Sequence, residues 1–305
     1  MKIAHISDLH VQARRPVPFT RFLNKRMTGA VNLYTFRKDA HSGDILHALM
    51  NDIIHQDVHH TCITGDLSNL SLEQEFDASR EEICRLGDGS RVSIVPGNHD
   101  IYTRGSQRAK RFESYFGDWL CPDLRALPYS KDLGQGVKVV GLCSAIPTLP
   151  FTSYGRVGKE QLEKLAALPS PGMTDFEIVL LHHNLHPRHS SLKDWSSGLK
   201  DREEFMGILG VRGTSMVLHG HTHVAHRVQL SGNNRPLHIF GCGSSTWTHE
   251  EHMARYAVYH IHNGKLAKIE TRVFSPQLGE FQSVENELES DLDPGWLVEG
   301  TSTAA

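Results

Sequence analysis

Five short polar blocks recur in this chain, and each stands where an apolar run stops. Ile3 to Ile6 precedes Asp8-Leu9-His10. Cys62 and Ile63 precede Gly65-Asp66. Val92 to Val95 leads through Pro96 into Gly97-Asn98-His99-Asp100. Ile178 to Leu181 precedes His182-His183, and Met216 to Leu218 precedes His219 and then Gly220-His221-Thr222-His223. Short continuous apolar runs closed by turn residues read as strands buried on both faces of a sheet. Polar groups released at one end of such strands gather at one edge of the fold. Carboxylate, imidazole and amide donors together suit Mn, Fe or Zn rather than a soft metal or calcium. The pattern therefore predicts an α/β chain with a metal centre and hydrolytic chemistry.

The order Asp-x-His, Gly-Asp, Gly-Asn-His-Asp, His, Gly-His-x-His resembles the full signature of the calcineurin-like metallophosphoesterase superfamily, over roughly residues 1 to 270. Any one block would be weak, since the chain holds 21 histidines. All five in order are not. The resemblance implies a four-layer α/β/β/α sandwich of the metallophosphoesterase type, where periodicity alone gives only α/β. It implies two divalent ions (Mn, Fe or Zn) about 3.5–4 Å apart, with a metal-bridging hydroxide as nucleophile. Asp66 would bridge them. Asp8, His10 and His223 would complete one site, and Asn98, His182 and His221 the other. His221 and His223 would share a face in an extended segment, whereas a tight turn could aim them apart. His99 would act off the metals as general acid, for which its near-neutral pKa suits it, with Asp100 orienting the imidazole. Asn98 doubles as a turn residue after Pro96-Gly97. Of His183 and His219, one is expected near metal ligands or substrate and the other in a structural role. His47, His55, His59, His60, His189, His226 and His252 are assigned no function.

A length of 305 residues and an ordinary composition fit one catalytic domain, residues 1–274, because no linker divides the span from residue 8 to residue 223. Residues 275–305 carry acidic side chains and no lysine or arginine, and read as a tail, helical in part and disordered at its end. The five cysteines form no Cys-x-x-Cys pair and read as reduced thiols. With no leader peptide or apolar span visible, a cytoplasmic protein is expected. A net charge of −3 argues against bulk nucleic-acid binding.

Residues 11–42 form the most individual segment, a basic amphipathic insert directly after Asp8 and His10. Arg14, Arg15, Arg21, Lys25 and Arg26 are candidates for substrate contact, as is His183. On a helix, Phe19, Phe22, Leu23 and Met27 would share a face away from Arg21 and Lys25. Such a stretch can act as a lid, supply charge to diphosphate oxygens, or lie on the inner face of an anionic membrane. Two substrate classes stay open. One is a small, cyclic nucleotide diester, since the blocks are similar to those of bacterial cyclic-nucleotide phosphodiesterases. The other is a lipid-linked UDP-sugar diphosphate, since the chain also resembles calcineurin-like UDP-diacylglucosamine hydrolases. A nuclease and a non-catalytic scaffold are the alternatives. Oligomeric state is not legible.

Overall fold

The computed structural model describes residues 1–13, 26, 40–120, 127–187, 190–231 and 235–284. Strand β1 (Lys2–Ile6) is buried along almost its whole length, as a central strand of consecutive apolar residues must be. It pairs in parallel with β2 (His60–Ile63), and β2 in parallel with β3 (Val92–Ile94). On its other side lies antiparallel β10 (Arg255–His262), then β11 (Lys265–Ser275) and β12 (Glu280–Val284). The first sheet thus runs β12-β11-β10-β1-β2-β3. The second contains β4 (Tyr129–Asp132), β5 (Val137–Gly141), β6 (Phe176–Leu180), β7 (Met216–His219), β8 (His226–Leu230) and β9 (Leu237–Gly241). Its order is β4-β5-β6-β7-β9-β8, with β5, β6, β7 and β9 mutually parallel.

Alternation along the second sheet creates the layers. Val139, Ile178, Leu180, Met216, Leu218 and Phe240 share one core with Ile3, Ile6 and Ile63 of the first sheet. Their neighbours Val140, Val179, Val217 and Ile239 face the other way. They pack with Leu162 and Leu165 of helix α5 (Lys159–Ala167) and with Phe205 and Leu209 of α7 (Arg202–Arg212). Helices α1 (Gly43–His55) and α2 (Glu73–Cys84) cover the first sheet. The outcome is the expected four-layer sandwich, because two sheets with apolar residues on both faces need a helical layer on each outer side.

Local signals account for most element ends. Ser42 caps α1, its hydroxyl accepting from Asp44 N and Ile45 N, and Ile45, Leu46, Leu49, Met50 and Ile53 form the buried stripe. Asn263 and Gly264 turn the β10–β11 hairpin with φ of 49° and 68°, as a two-residue turn of the mirror-image type requires.

Residues 104–120 form two helices, α3 (Arg104–Arg108) and α4 (Arg111–Leu120), because Lys110 sits at φ 45° between them. One expectation needs correction. The start of the acidic tail is not helical. Glu280–Val284 pairs with β11 and buries Phe281 against Tyr256 and Phe274, so the sheet extends past residue 274. Residues 285–305 lie outside the described residues, as does the insert apart from its first residues, Arg26 and its last three. The described cysteines, Cys62, Cys84, Cys143 and Cys242, are free thiols. Among the described residues no helix is long and apolar enough to cross a membrane.

Candidate metal centre

All five polar blocks leave the C-terminal ends of parallel strands: β1, β2 and β3 in the first sheet, β6 and β7 in the second. To turn side chains back over the strand ends, the backbone adopts left-handed conformations. Asp8, His10, Asp66, His221 and His223 have φ of 54°, 46°, 54°, 72° and 58°. Non-glycine residues are rare there, and such strain persists only where surrounding bonds dictate it. Here Asp8 N donates to Gly65 O at 3.0 Å, His10 N to Asp66 O at 2.9 Å, and Thr222 N to Gly220 O at 2.9 Å. The flanking glycines make room. A Cβ on Gly97 would collide with Asp66 Oδ1, and one on Gly220 with Ser7 Oγ and Asp8 Oδ2.

The seven expected ligands converge into two groups that share Asp66. In the first, His223 Nε2 lies 3.2 Å from Asp8 Oδ1 and 3.1 Å from His10 Nε2, and His10 Nε2 lies 3.8 Å from Asp66 Oδ2. In the second, His182 Nε2 lies 3.3 Å from the same Asp66 oxygen and 3.1 Å from Asn98 Oδ1, and His221 Nδ1 lies 2.9 Å from Asn98 Oδ1. The turn through Gly220 therefore aims His221 and His223 at different groups, which spacing alone left open.

The donor set fits divalent ions. Asp8 Oδ1 is buried and accepts no hydrogen bond, and two imidazole nitrogens face one another across 3.1 Å. The outer ring nitrogens are held by carbonyls: His182 Nδ1 donates to Thr64 O at 2.7 Å and His221 Nε2 to Ser197 O at 3.0 Å. Such bonds select the tautomer that leaves the inner nitrogen able to ligate.

The charges are strongly coupled. Burial would raise the Asp66 carboxyl, but His182, His99 and His10 hold it well below the ordinary range. Burial would lower His182, but Asp66 raises it to about 9. In the metal-free protein His182 is therefore cationic at neutral pH. The stability this gives is fully present below the unfolded value near 6.5 and is lost as pH rises through about 9. An ion and this proton compete for the same Nε2, so loading at pH 7 is expected to expel a proton, and affinity to climb with pH up to about 9. Calorimetric titration in two buffers of different ionisation enthalpy reads this directly. Equal apparent enthalpies in both would disprove it.

His99 stands beside the first donor group, within 4.8 Å of the ligand atoms of His10 and Asp66. Its ring packs edge-on to His10 at 4.8 Å between centroids, and its Nδ1 donates to Asn69 O at 2.6 Å. Asp100, expected to orient that ring, instead accepts from Leu67 N, Ser68 N, Ser68 Oγ and Gly97 N at 2.9–3.2 Å. It staples the loop after β2 to the loop after β3, because four donors from those loops converge on its buried carboxylate. Burial and the nearby Asp66 charge raise it to about 7. His183 is also corrected. Its ring is fully buried between Ser144 Oγ (2.8 Å) and Ser153 O (2.9 Å), so it does not reach substrate. Arg26 is buried and donates to Leu70 O and Ser71 O at 2.7 and 3.0 Å. Arg14, Arg15, Arg21 and Lys25 lie outside the described residues.

Several contributors escape a reading of motifs. Asn69 Nδ2 donates to His10 O at 2.6 Å while its carbonyl holds His99, so one residue joins two ligand loops. Ser244 Oγ and Thr246 Oγ1 donate to Asp8 O and Leu9 O, both at 2.8 Å. His41 packs 4.5 Å from His10, and Trp247 stands 4.9 Å from His41 and 5.3 Å from His223. The run Ser244–Thr246 after an apolar strand was a usable signal. His41 had none, since it stands ahead of a helix rather than after a strand.

Tyr102 stacks on His99 with centroids 5.5 Å apart. It opens a cleft of about 660 Å³ lined by Arg26, Arg104, Arg111, Thr148, Leu149 and Tyr154, among others. Arg111 pairs with Glu73 at 2.9 Å, while Arg104 is exposed. Beside the cleft, Ser153 N bonds Ser196 O at 2.8 Å and seats the 149–155 loop against α6 (Ser191–Ser197). Four apolar side chains stand out to solvent there: Leu149 (70% exposed), Phe151 (91%), Leu192 (73%) and Trp195 (60%).

Comparison with known proteins agrees with this architecture. The family model for calcineurin-like phosphoesterases matches residues 1–225. No curated protein sequence matches the chain significantly. Among solved structures, a purple acid phosphatase, PPD1, from yellow lupin (Lupinus luteus) superimposes with a TM-score of 0.57 at 12% identity, over 92% of this chain and 52% of that one. The chain thus spans about half the length of the lupin enzyme. GAP50, the anchor in the inner membrane complex of Plasmodium, superimposes with a TM-score of 0.51 at 12% identity, over 98% of this chain and 93% of that one. At such identities the likeness is one of fold.

Proposed function

Since the chain belongs to the calcineurin-like phosphoesterase family, we propose that its centre takes two divalent ions (Mn, Fe or Zn) and hydrolyses a phosphodiester or diphosphate bond in a lipid-linked nucleotide. The observation that carries the hydrolase reading is the single oxygen, Asp66 Oδ2, standing between two complete donor groups. Ions bound there supply Lewis acidity to phosphoryl oxygens and acidify water.

The side chains supply the rest. Asp8, His10 and His223 would hold one ion, Asn98, His182 and His221 the other, with Asp66 shared between them. Hydrolysis breaks the bond from phosphorus to the leaving oxygen, which must gain a proton. With His99 Nδ1–H committed to the Asn69 carbonyl, the imidazolium form carries its second proton on Nε2, and Nε2 is the atom that delivers it. Exposed Arg104 supplies a cation for a neighbouring anionic group in the cleft beside Tyr102.

The apolar rim favours the lipid-linked substrate over a small cyclic diester. Leu149 and Phe151 are exposed on the loop that Ser153 N joins to α6, which exposes Leu192 and Trp195, and Leu149 also lines the arginine-bearing cleft; exposed apolar side chains gathered on adjoining segments favour contact with another apolar surface. The test is turnover by Mn-loaded protein on three substrates: a bis-aryl phosphodiester, cyclic AMP, and UDP-diacylglucosamine in detergent. UMP release from the lipid is the expected result. Hydrolysis of cyclic AMP with the lipid untouched would establish a nucleotide phosphodiesterase instead, and inactivity on all three after metal loading would revive the scaffold alternative.

A further inference from the structure

We propose that His186, His219 and His226 form a third metal site, separate from the dinuclear centre, that takes one zinc-like ion. The three residues come from different parts of the second sheet. His186 lies in the loop after β6, His219 ends β7 and His226 begins β8. One ring nitrogen from each falls within a common 4.8 Å.

The backbone builds this cluster. Strand β9 lies between β7 and β8, and both His219 and His226 are in register with its Gly241. A Cβ at residue 241 would collide with the His226 ring, so the glycine creates the space in which the two imidazoles meet. His219 and His226 are buried, while His186 is half-buried, which leaves a path for an ion from solvent.

The hydrogen bonds then pose a problem that a cation solves. His219 Nδ1 lies 3.1 Å from Gly220 O, and His226 Nδ1 lies 3.2 Å from Val224 O. A carbonyl oxygen only accepts, so both Nδ1 atoms carry the proton. In neutral rings both Nε2 atoms then present lone pairs across 3.1 Å, and a second proton on either would bury an imidazolium. Moving a proton onto one Nε2 would set its Nδ1 lone pair against a carbonyl. A metal ion between the rings satisfies both nitrogens at once. Two nitrogens on one tetrahedral zinc, each about 2.0–2.1 Å away, stand about 3.3 Å apart. The same facing contact, also 3.1 Å, occurs between His10 and His223 in the dinuclear centre.

Three neutral imidazoles with no carboxylate suit Zn, Cu, Co or Ni rather than Mg, Ca or Mn. Such an ion would tie the loop after β6 to the ends of β7 and β8. It would thereby brace the Gly220–His223 turn that carries two ligands of the dinuclear centre.

The test is zinc stoichiometry of the full chain, stripped with chelator and titrated by calorimetry, with elemental analysis after desalting. Three equivalents are expected for the unmodified protein and two for His226→Gln. His186→Gln, at the half-buried ring, should also bind two and guards against a folding defect at His226. In an Asp66→Ala background the third equivalent should remain and raise the thermal midpoint. Adding His226→Gln to that background should abolish both effects. Two equivalents in the unmodified protein, unchanged in either histidine variant, would overturn the proposal and leave the dinuclear reading intact. Three equivalents in all three proteins would overturn it too, by placing the extra ion elsewhere. One equivalent that survives Asp66→Ala but not His226→Gln would uphold this site and overturn the dinuclear one.

Discussion

Asp66→Ala is expected to release both ions of the dinuclear centre and to lower turnover by roughly 10³-fold or more, the several kcal/mol that a two-metal clamp contributes. Asp66 Oδ2 stands between the two donor groups, 3.8 Å from His10 Nε2 and 3.3 Å from His182 Nε2. The effect on folding should be much smaller. Removing one member of a buried ion pair costs about 3–5 kcal/mol when the other charge is stranded. Here His182 can shed its proton, because Asp66 is what raises it to about 9. Alanine at a left-handed position adds a strain of roughly 1–2 kcal/mol. Asp66→Asn tolerates that conformation and separates the two effects. Metal analysis beside thermal unfolding decides the matter. An Asp66→Ala protein that keeps two equivalents at the dinuclear centre would show that the bridge is another group.

The second large effect is expected at His99. His99→Ala should slow hydrolysis of substrates with poor leaving groups by roughly 10²–10⁴-fold, or about 3–5 kcal/mol, the usual contribution of a positioned general acid. An activated aryl ester needs no proton on its leaving oxygen, so its loss should stay within about tenfold. The contrast between leaving groups separates proton donation from charge stabilisation, since a purely electrostatic role would slow both alike. Asn69 offers a further check. Its carbonyl fixes the His99 tautomer through backbone rather than side chain, so Asn69→Ala could keep the Nδ1 bond while losing the Nδ2 bond to His10 O.

Much of the candidate site was legible because ligands for hard metals must be particular residue types, and a parallel sheet delivers them at strand ends. Asp8, His10, Asp66, Asn98, His182, His221 and His223 could each be named from an apolar run followed by a polar block, set against a family signature. The helix over Gly43–His55 likewise rests on local signals, the Ser42 cap and the spacing of Ile45, Leu49 and Ile53. The role of Asp100 was misread because an acid next to a histidine in sequence need not face its ring. Which donors surround a carboxylate depends on loops from β2 and β3 that meet only after folding.

The sequence by itself determined the inventory: which residue types can bind metal, how many blocks supply them, and that buried strands of an α/β chain precede each block. Tertiary structure decided the pairings. It aimed His221 and His223 at different groups through backbone turns that no side-chain pattern encodes. It sealed His183 between two oxygens, gave β12 an edge to pair with, and set His219 and His226 on either side of Gly241. The physical reason is that composition and periodicity act over a few residues, whereas these contacts join segments brought together only when two sheets close on a common core.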